Sequence, residues 1–286
     1  MRIDLHTHSN RSDGTDSPAE LVEKAAAAGL DVVAITDHDS TAGWDEARAA
    51  GERLGIEVVG GIEISAMLYG VSIHLLGYGF DPTDPALLAE LQHVLDGRDD
   101  RLPALLAQLA EHDMPLTVED VVAQSGAAAA SGRPHVADAM IAAGYVVDRD
   151  EAFRNWLYDD GPAFVARYGT PLHEAIDLVR AAGGVAVVAH PWARKGRRVL
   201  TPDVLAGLAA HGLAGVEVDH VNHGPEVRAE LRALATDLDL VVTGSSDYHG
   251  SGKGPEFHLG ACTTAPDQLE RLVALVASRS DRTARP

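Results

Sequence analysis

Arg2-Ile3-Asp4-Leu5-His6-Thr7-His8-Ser9-Asn10-Arg11-Ser12-Asp13-Gly14 opens the chain as a short apolar strand that runs into two imidazoles and a carboxylate. In extended backbone, residues two apart point to the same side. His6 and His8 can therefore reach one ion, and Asp13 follows in a loop made pliable by Gly14. A lone His-x-His is common in polar loops, so this spacing gains meaning only from the rest of the chain.

Outward from that stretch, apolar runs alternate with alanine-rich helical ones. Strands are predicted at 3–5, 31–35, 56–62 and 72–76, and again at 185–189, 215–218 and 240–243. Ser17-Pro18-Ala19-Glu20 is a helix start, with an N-cap, a first-turn proline and an acid. Further helices are predicted near 43–54, 171–182, 202–210, 225–236 and 266–278. Between 84 and 170 strand signals are scarce, and helices are predicted at 85–95, 101–111, 118–124, 136–143 and 150–157. This gives a discontinuous barrel domain, 1–83 and 171–278, with a helical insertion at 84–170 as a substrate cap and a polar, disordered tail at 279–286. The alternation implies an α/β fold with a mainly parallel sheet, covered or closed into a barrel.

Almost every predicted strand carries or ends in a potential ligand. The first gives His6 and His8; the second, Thr36-Asp37-His38-Asp39; the third, Glu63; the fourth, His74. The later ones give His190-Pro191, Asp219-His220 with His223, and Asp247-Tyr248-His249. Active sites of parallel barrels lie at the C-terminal strand ends, and clustered imidazoles and carboxylates there are what a metal site needs. Asp37 is read as a carboxylate that orients His38 or a neighbouring strand end.

Composition narrows the function. The net charge of -20 argues against a binder of duplex nucleic acid, although a small phosphorylated substrate or a short single strand is compatible with it. No apolar run is long enough for a bilayer, and Cys262 is the single cysteine. Signal-peptide cleavage would remove His6, so a soluble cytoplasmic protein is expected.

His6-Thr7-His8, Thr36-Asp37-His38, Glu63, His74, Ala189-His190-Pro191 and Ser246-Asp247-Tyr248-His249 resemble, in order, the motifs of the PHP (polymerase and histidinol phosphatase) superfamily. The resemblance implies a distorted, TIM-like (β/α)7 barrel and three divalent ions, with manganese expected and zinc or iron compatible. The first ion would be held by His6, His8, Glu63 and Asp247, and the second by Asp13, His38 and His249. The third would be held by His74 and His190, with Glu63 bridging from the first. Some members have histidine where this chain has Asp13.

Within the superfamily, the insertion and Gly132-Arg133-Pro134-His135 resemble the nucleoside 3',5'-bisphosphate phosphatase and RNase AM group. Arg133 and His135 would then contact substrate phosphate, with Arg167 a further candidate. Arg194, Lys195, Arg197 and Arg198 form a basic loop, Trp192 is placed to line a nucleoside pocket, and His223 to protonate a leaving group. The implied reaction is hydrolysis of the 3'-phosphate of a nucleoside 3',5'-bisphosphate by a metal-bridging hydroxide. Alternatives are 5'-to-3' hydrolysis of short RNA, a histidinol phosphatase, and a non-catalytic metal-binding regulatory module.

Overall fold

The computed structural model describes residues 1–193 and 195–283; Arg194 of the basic loop and residues 284–286 lie outside the described residues. The strands are β1 (Ile3–Asp4), β2 (Val32–Ile35), β3 (Glu57–Leu68), β4 (Val71–Tyr78), β5 (Thr170–Pro171), β6 (Val185–Val188), β7 (Gly215–Asp219) and β8 (Val241–Gly244). They pair in the order β1-β2-β3-β4-β6-β7-β8, with the short β5 set beside β3. All these pairings are parallel except those of β4, which runs antiparallel to both β3 and β6. A bridge from Thr7 to Tyr248 brings the chain beyond β1 against the chain beyond β8, so the sheet is a nearly closed, distorted barrel.

Around the barrel run α1 (Pro18–Ala27) and α2 (Trp44–Leu54). Then come α3 (Pro85–Ala110), α4 (Val118–Ser125), α5 (Arg133–Ala142) and α6 (Arg149–Ala152), the last followed by a π turn over Phe153–Leu157. After β5 come α7 (Leu172–Ala181), α8 (Gly196–Val199), α9 (Pro202–His211), α10 (Pro225–Asp237) and α11 (Pro266–Thr283). Alternation along the strands makes two apolar layers. Ile3, Leu5, Val32, Ala34, Leu76, Tyr78, Val185, Val187 and Val241 share one cluster, whereas Val33, Ile35, Ile62, Ile64, Val188 and Val216 pack with the helices. Helices α3 to α6 have a core of their own around Leu102, Leu105, Leu109, Val121, Val136, Met140 and Leu157. No helix among the described residues is long and apolar enough to cross a membrane.

Several boundaries differ from the sequence reading. The helices predicted at 85–95 and 101–111 are one helix, α3, with Pro103 inside it. Proline removes one internal hydrogen bond, but Leu102, Leu105, Leu106 and Leu109 are buried on both sides of it, and that burial carries the helix through. β3 and β4 are longer than predicted because they form one hairpin, in register from Gly61–Tyr78 to Leu68–Val71. α5 begins at Arg133 rather than 136, because the His135 side chain accepts the Gly132 N–H at 3.0 Å and caps the turn. α11 continues to Thr283, so residues 279–283, read as tail, are helical. Part of the basic loop is a single helical turn, α8.

Candidate metal centre and substrate cleft

Glu63 lies at the middle of the site. Its Oε2 is 3.2 Å from His6 Nε2, 3.0 Å from His8 Nε2 and 3.1 Å from His38 Nδ1. Its Oε1 is 2.8 Å from His74 Nδ1 and 3.3 Å from His190 Nε2. Five imidazoles thus face a group with about four acceptor positions. His6 Nε2 is also 3.0 Å from His8 Nε2. Asp247 Oδ1 is 3.6 Å from both of these nitrogens and 3.5 Å from His249 Nδ1. Asp13 is 3.2 Å from His249 Nε2, 3.6 Å from His8 Nδ1 and 3.7 Å from His38 Nε2. The fold therefore gathers all nine side chains read as ligands.

These separations match those between donors that share an ion. At a bond length of about 2.1 Å, such donors stand roughly 3.0–3.5 Å apart. Four groups fall within reach of common points: His8, Asp13, His38 and His249; His6, Glu63 and His190; His6, His8 and Asp247; and His38, Glu63 and His74. His38 Nδ1 provides an independent sign. It is buried and off-line for a hydrogen bond to Glu63 despite their proximity, so it has a lone pair or proton with nothing to satisfy it. A cation among these atoms satisfies the whole set, and the residues fit divalent ions.

The titration of the site points the same way. Burial and the Lys253 charge push His249 down to about 4, and burial pushes His38 well below its ordinary value. Both are free of protons at neutral pH, as metal ligands must be. Burial raises Glu63, Asp13 and Asp247, but neighbouring imidazoles, and Lys253 beside Asp247, outweigh it and hold all three well below the usual carboxylate range. His6 goes the other way. Burial disfavours its charged form, yet Glu63, Glu217 and Asp247 together raise it well above the usual value. A proton competes with a metal ion at His6.

The supports are local. Asp37 accepts from Ser9 N at 2.8 Å, Ser9 Oγ at 2.7 Å and Ser12 Oγ at 2.7 Å, so it pins the neighbouring loop that carries Asp13. Gly14 serves close packing: a Cβ there would lie 2.2 Å from the His8 carbonyl oxygen. Buried Asp4 accepts from Ser246 N and Gly260 N, at 3.0 and 2.9 Å, and fixes the chain leading to Asp247. His190 and Asp247 both have left-handed backbone, with φ of 28° and 53°. Such strain costs of order 1–3 kcal/mol per residue and persists only where surroundings hold it.

Glu217 supplies much of that hold, and the sequence reading missed it. It accepts from His6 Nδ1–H at 3.1 Å, from the His190 N–H at 2.8 Å and, in a short bond, from Ser245 Oγ. The first bond fixes the His6 tautomer and turns Nε2 toward the centre. Its signal was a lone acid between Val216 and Val218 in an otherwise apolar strand. Glu217→Gln is expected to weaken divalent-ion affinity by about 10–100-fold with the fold intact, measured by metal titration against a competing chelator.

A cleft of about 810 Å³ opens over Glu63, His38, His74, His190 and Asp247. Nine of the 23 basic residues line it, so an acidic chain has a locally cationic site. Arg101 stands out. It is 8% exposed, its Nε has no partner, and burial together with Arg133 and Arg98 lowers its pKa to about 9. Arg133 also lines the cleft; its Nη1 donates to Asp159 Oδ1 and the Leu157 carbonyl, both at 2.8 Å. Arg167 is another lining residue, its charge disfavoured by burial and by Arg98. His135 lies beside Asp13 and His38 in a small adjoining pocket.

Other expected residues lie elsewhere. His223 is 2% exposed, behind His220, its Nδ1 donating to the Val218 carbonyl; it does not line the cleft. Trp192 is buried, donates to the Leu200 carbonyl and carries the Arg197 guanidinium on its face, so it packs the core rather than the cleft. Lys195 and Arg198 of the basic loop do reach the cleft.

A PHP domain model matches residues 4–112. The 3',5'-nucleoside bisphosphate phosphatase of Chromobacterium violaceum is 32% identical over 252 residues, 88% of each chain. The phosphoribosyl 1,2-cyclic phosphate 1,2-diphosphodiesterase of Eggerthella lenta is 35% identical, across 91% of this chain and 98% of that one. The 5'-3' exoribonuclease of Haemophilus influenzae is 34% identical, across 87% and 90%. Among solved structures, a protein of Bifidobacterium adolescentis described as a metal-dependent phosphoesterase superposes with a TM-score of 0.89 at 38% identity, covering 96% of both chains. With its ring of imidazoles and carboxylates at the barrel mouth, the chain belongs to the PHP family of metal-dependent phosphoesterases.

Proposed function

We propose that the chain removes the 3'-phosphate of nucleoside 3',5'-bisphosphates, with three divalent ions, manganese first among them, held by His6, His8, Asp13, His38, Glu63, His74, His190, Asp247 and His249. The observation that carries this reading is that one cleft is lined both by seven of these residues, all but His6 and His8, and by an arginine group, Arg101, Arg133 and Arg167. A substrate with two separate phosphates suits that division. One would react at the ligand ring and the other would neutralise the arginines, whose planar donors match phosphate oxygens.

Ions bound at the ring supply Lewis acidity and make water a nucleophile near neutral pH. The chain's own part is orientation and charge. Glu217 fixes His6, and Asp37 holds the Asp13 loop. His135 uses Nδ1 as the acceptor from Gly132, which leaves Nε2–H as its donor toward a phosphate oxygen. The segment 84–170 acts as a cap over the centre. Arg149 Nη1 donates to the Asp13 carbonyl at 3.0 Å, and Arg98 bonds Asp39 beside His38 at 2.7 Å, so the cap is tied to the ligand loops themselves.

The Eggerthella relative favours a second reading. It aligns over nearly its whole length, and its named substrate is also a phosphorylated ribose with a second phosphate on the ring. Phosphate release and product length, measured with the manganese-loaded protein, separate the readings. The panel is adenosine 3',5'-bisphosphate, AMP, histidinol phosphate, phosphoribosyl 1,2-cyclic phosphate and a short 5'-phosphorylated RNA. Fast release from the bisphosphate, with AMP inert, is the expected result. Turnover of the cyclic phosphate alone, or stepwise shortening of the RNA in preference, would replace the substrate assignment.

A further inference from the structure

Lys253 stands at the reaction centre, and nothing in the ligand ring requires it there. Its ammonium bonds Asp247 Oδ2, the oxygen turned away from His6 and His8. That oxygen already has a buried partner, since His220 Nε2 donates to it from 3.3 Å while His220 Nδ1 accepts the Asn222 N–H. His220 is fully buried, whereas the Lys253 side chain is 25% exposed and lines the cleft beside Asp247 and His249. The ammonium also sits over the Phe257 ring, 4.9 Å from its centroid, which restrains it without using its donors. The loop is drawn in tightly. Gly250 has a φ of 66°, and a Cβ on Gly252 would lie 2.2 Å from Arg149 Nη1.

The residue type is informative as well. Only three of the 23 basic residues are lysines, and two of them, Lys195 and Lys253, line this cleft. A compact ammonium with three rotatable donors suits a crowded centre.

We propose that Lys253 is a catalytic residue whose ammonium contacts an oxygen of the reacting phosphoryl group. His220 keeps Asp247 oriented when the ammonium turns to substrate. Charge builds on the phosphoryl oxygens during transfer, and a fixed cation at that place lowers the barrier.

The inference rests on the phosphoesterase reading, and its test separates the two. Manganese-loaded wild type, Lys253→Met, Lys253→Gln and Lys253→Arg are compared for ions per chain by mass spectrometry, affinity for inorganic phosphate by calorimetry, and kcat on adenosine 3',5'-bisphosphate. Lys253→Met and Lys253→Gln are expected to keep the wild-type ion content, to bind phosphate roughly tenfold more weakly, and to lose about 10²-fold in kcat. Lys253→Arg should recover much of the phosphate affinity. Unchanged phosphate affinity in both neutral variants overturns the proposal. So does loss of ions from them, which would make Lys253 a positioning residue for Asp247. The phosphate titration needs no turnover, so it still decides the role of Lys253 if the wild type cleaves none of the substrates.

Discussion

Glu63→Gln is expected to fold, to lose tight divalent-ion binding and to lose about 10³-fold or more in phosphoester hydrolysis, the largest effect of any single change in the ligand ring. Both carboxylate oxygens face imidazoles, five in all, at 2.8–3.3 Å. An amide has the same shape but no charge, and one of its ends donates rather than accepts. The change therefore leaves ring nitrogens opposed to an N–H and removes the only carboxylate common to two of the proposed ion positions. Metal content by mass spectrometry, read beside kcat/KM, checks this. Acid stability gives a second readout. The ionised Glu63 carboxylate has a depressed pKa, so its stabilisation of the metal-free protein is present above the ordinary value of 4.5 and is lost as the pH falls toward the lower folded value. The variant should lose that dependence.

Arg101→Met is expected to make the protein more stable and a poorer enzyme. The guanidinium is buried beside Arg98 and Arg133, its Nε lacks a partner, and the structure gives it no hydrogen bond or ion pair among the described residues. Leaving such a group unsatisfied costs about 1–3 kcal/mol, which methionine of similar length recovers. The melting temperature should rise by a few degrees, since about 1 kcal/mol shifts a chain of this size by roughly 2–4 °C. The KM for a bisphosphate should rise about 10–100-fold while kcat stays within about threefold, because the contact that the proposed function assigns to Arg101 is to the phosphate that does not react. A lowered melting temperature with unchanged KM would show that Arg101 packs the cap rather than binding substrate. Functional sites commonly retain groups that folding alone would discard.

Legibility of the site in the sequence followed from strand geometry. Side chains at the ends of parallel strands converge, so His6, His38, Glu63, His190 and Asp247, far apart in the chain, could be read as one cluster before any coordinates. The barrel itself was legible because apolar runs alternate with capped helices. What could not be read depends on contacts between elements. Glu217 looks like one acid in a strand until the barrel places it under His6 and His190. Lys253 carries no motif, and only the loop closed by Gly250 and Gly252 brings it to Asp247. Arg101 opens the second of two predicted helices, past a gap at 96–100; α3 runs through that gap because the leucines beyond it are buried in the core of the helical insertion. His223 shows the reverse case: its place a few residues past a strand end suggested the cleft, whereas its ring turns to the Val218 carbonyl.

The central claim is that the imidazoles and carboxylates around Glu63 form a divalent-metal centre, and titration of chelator-stripped protein with manganese tests it most directly. The account predicts tight binding that saturates near three ions per chain. Binding should weaken as the pH falls, as protons compete for the ligands, His6 above all, whose affinity for a proton is raised well above the ordinary imidazole's, and tight binding should be lost in Glu63→Gln. A wild-type protein that takes up no manganese, or a Glu63→Gln variant with the same titration curve, would contradict it.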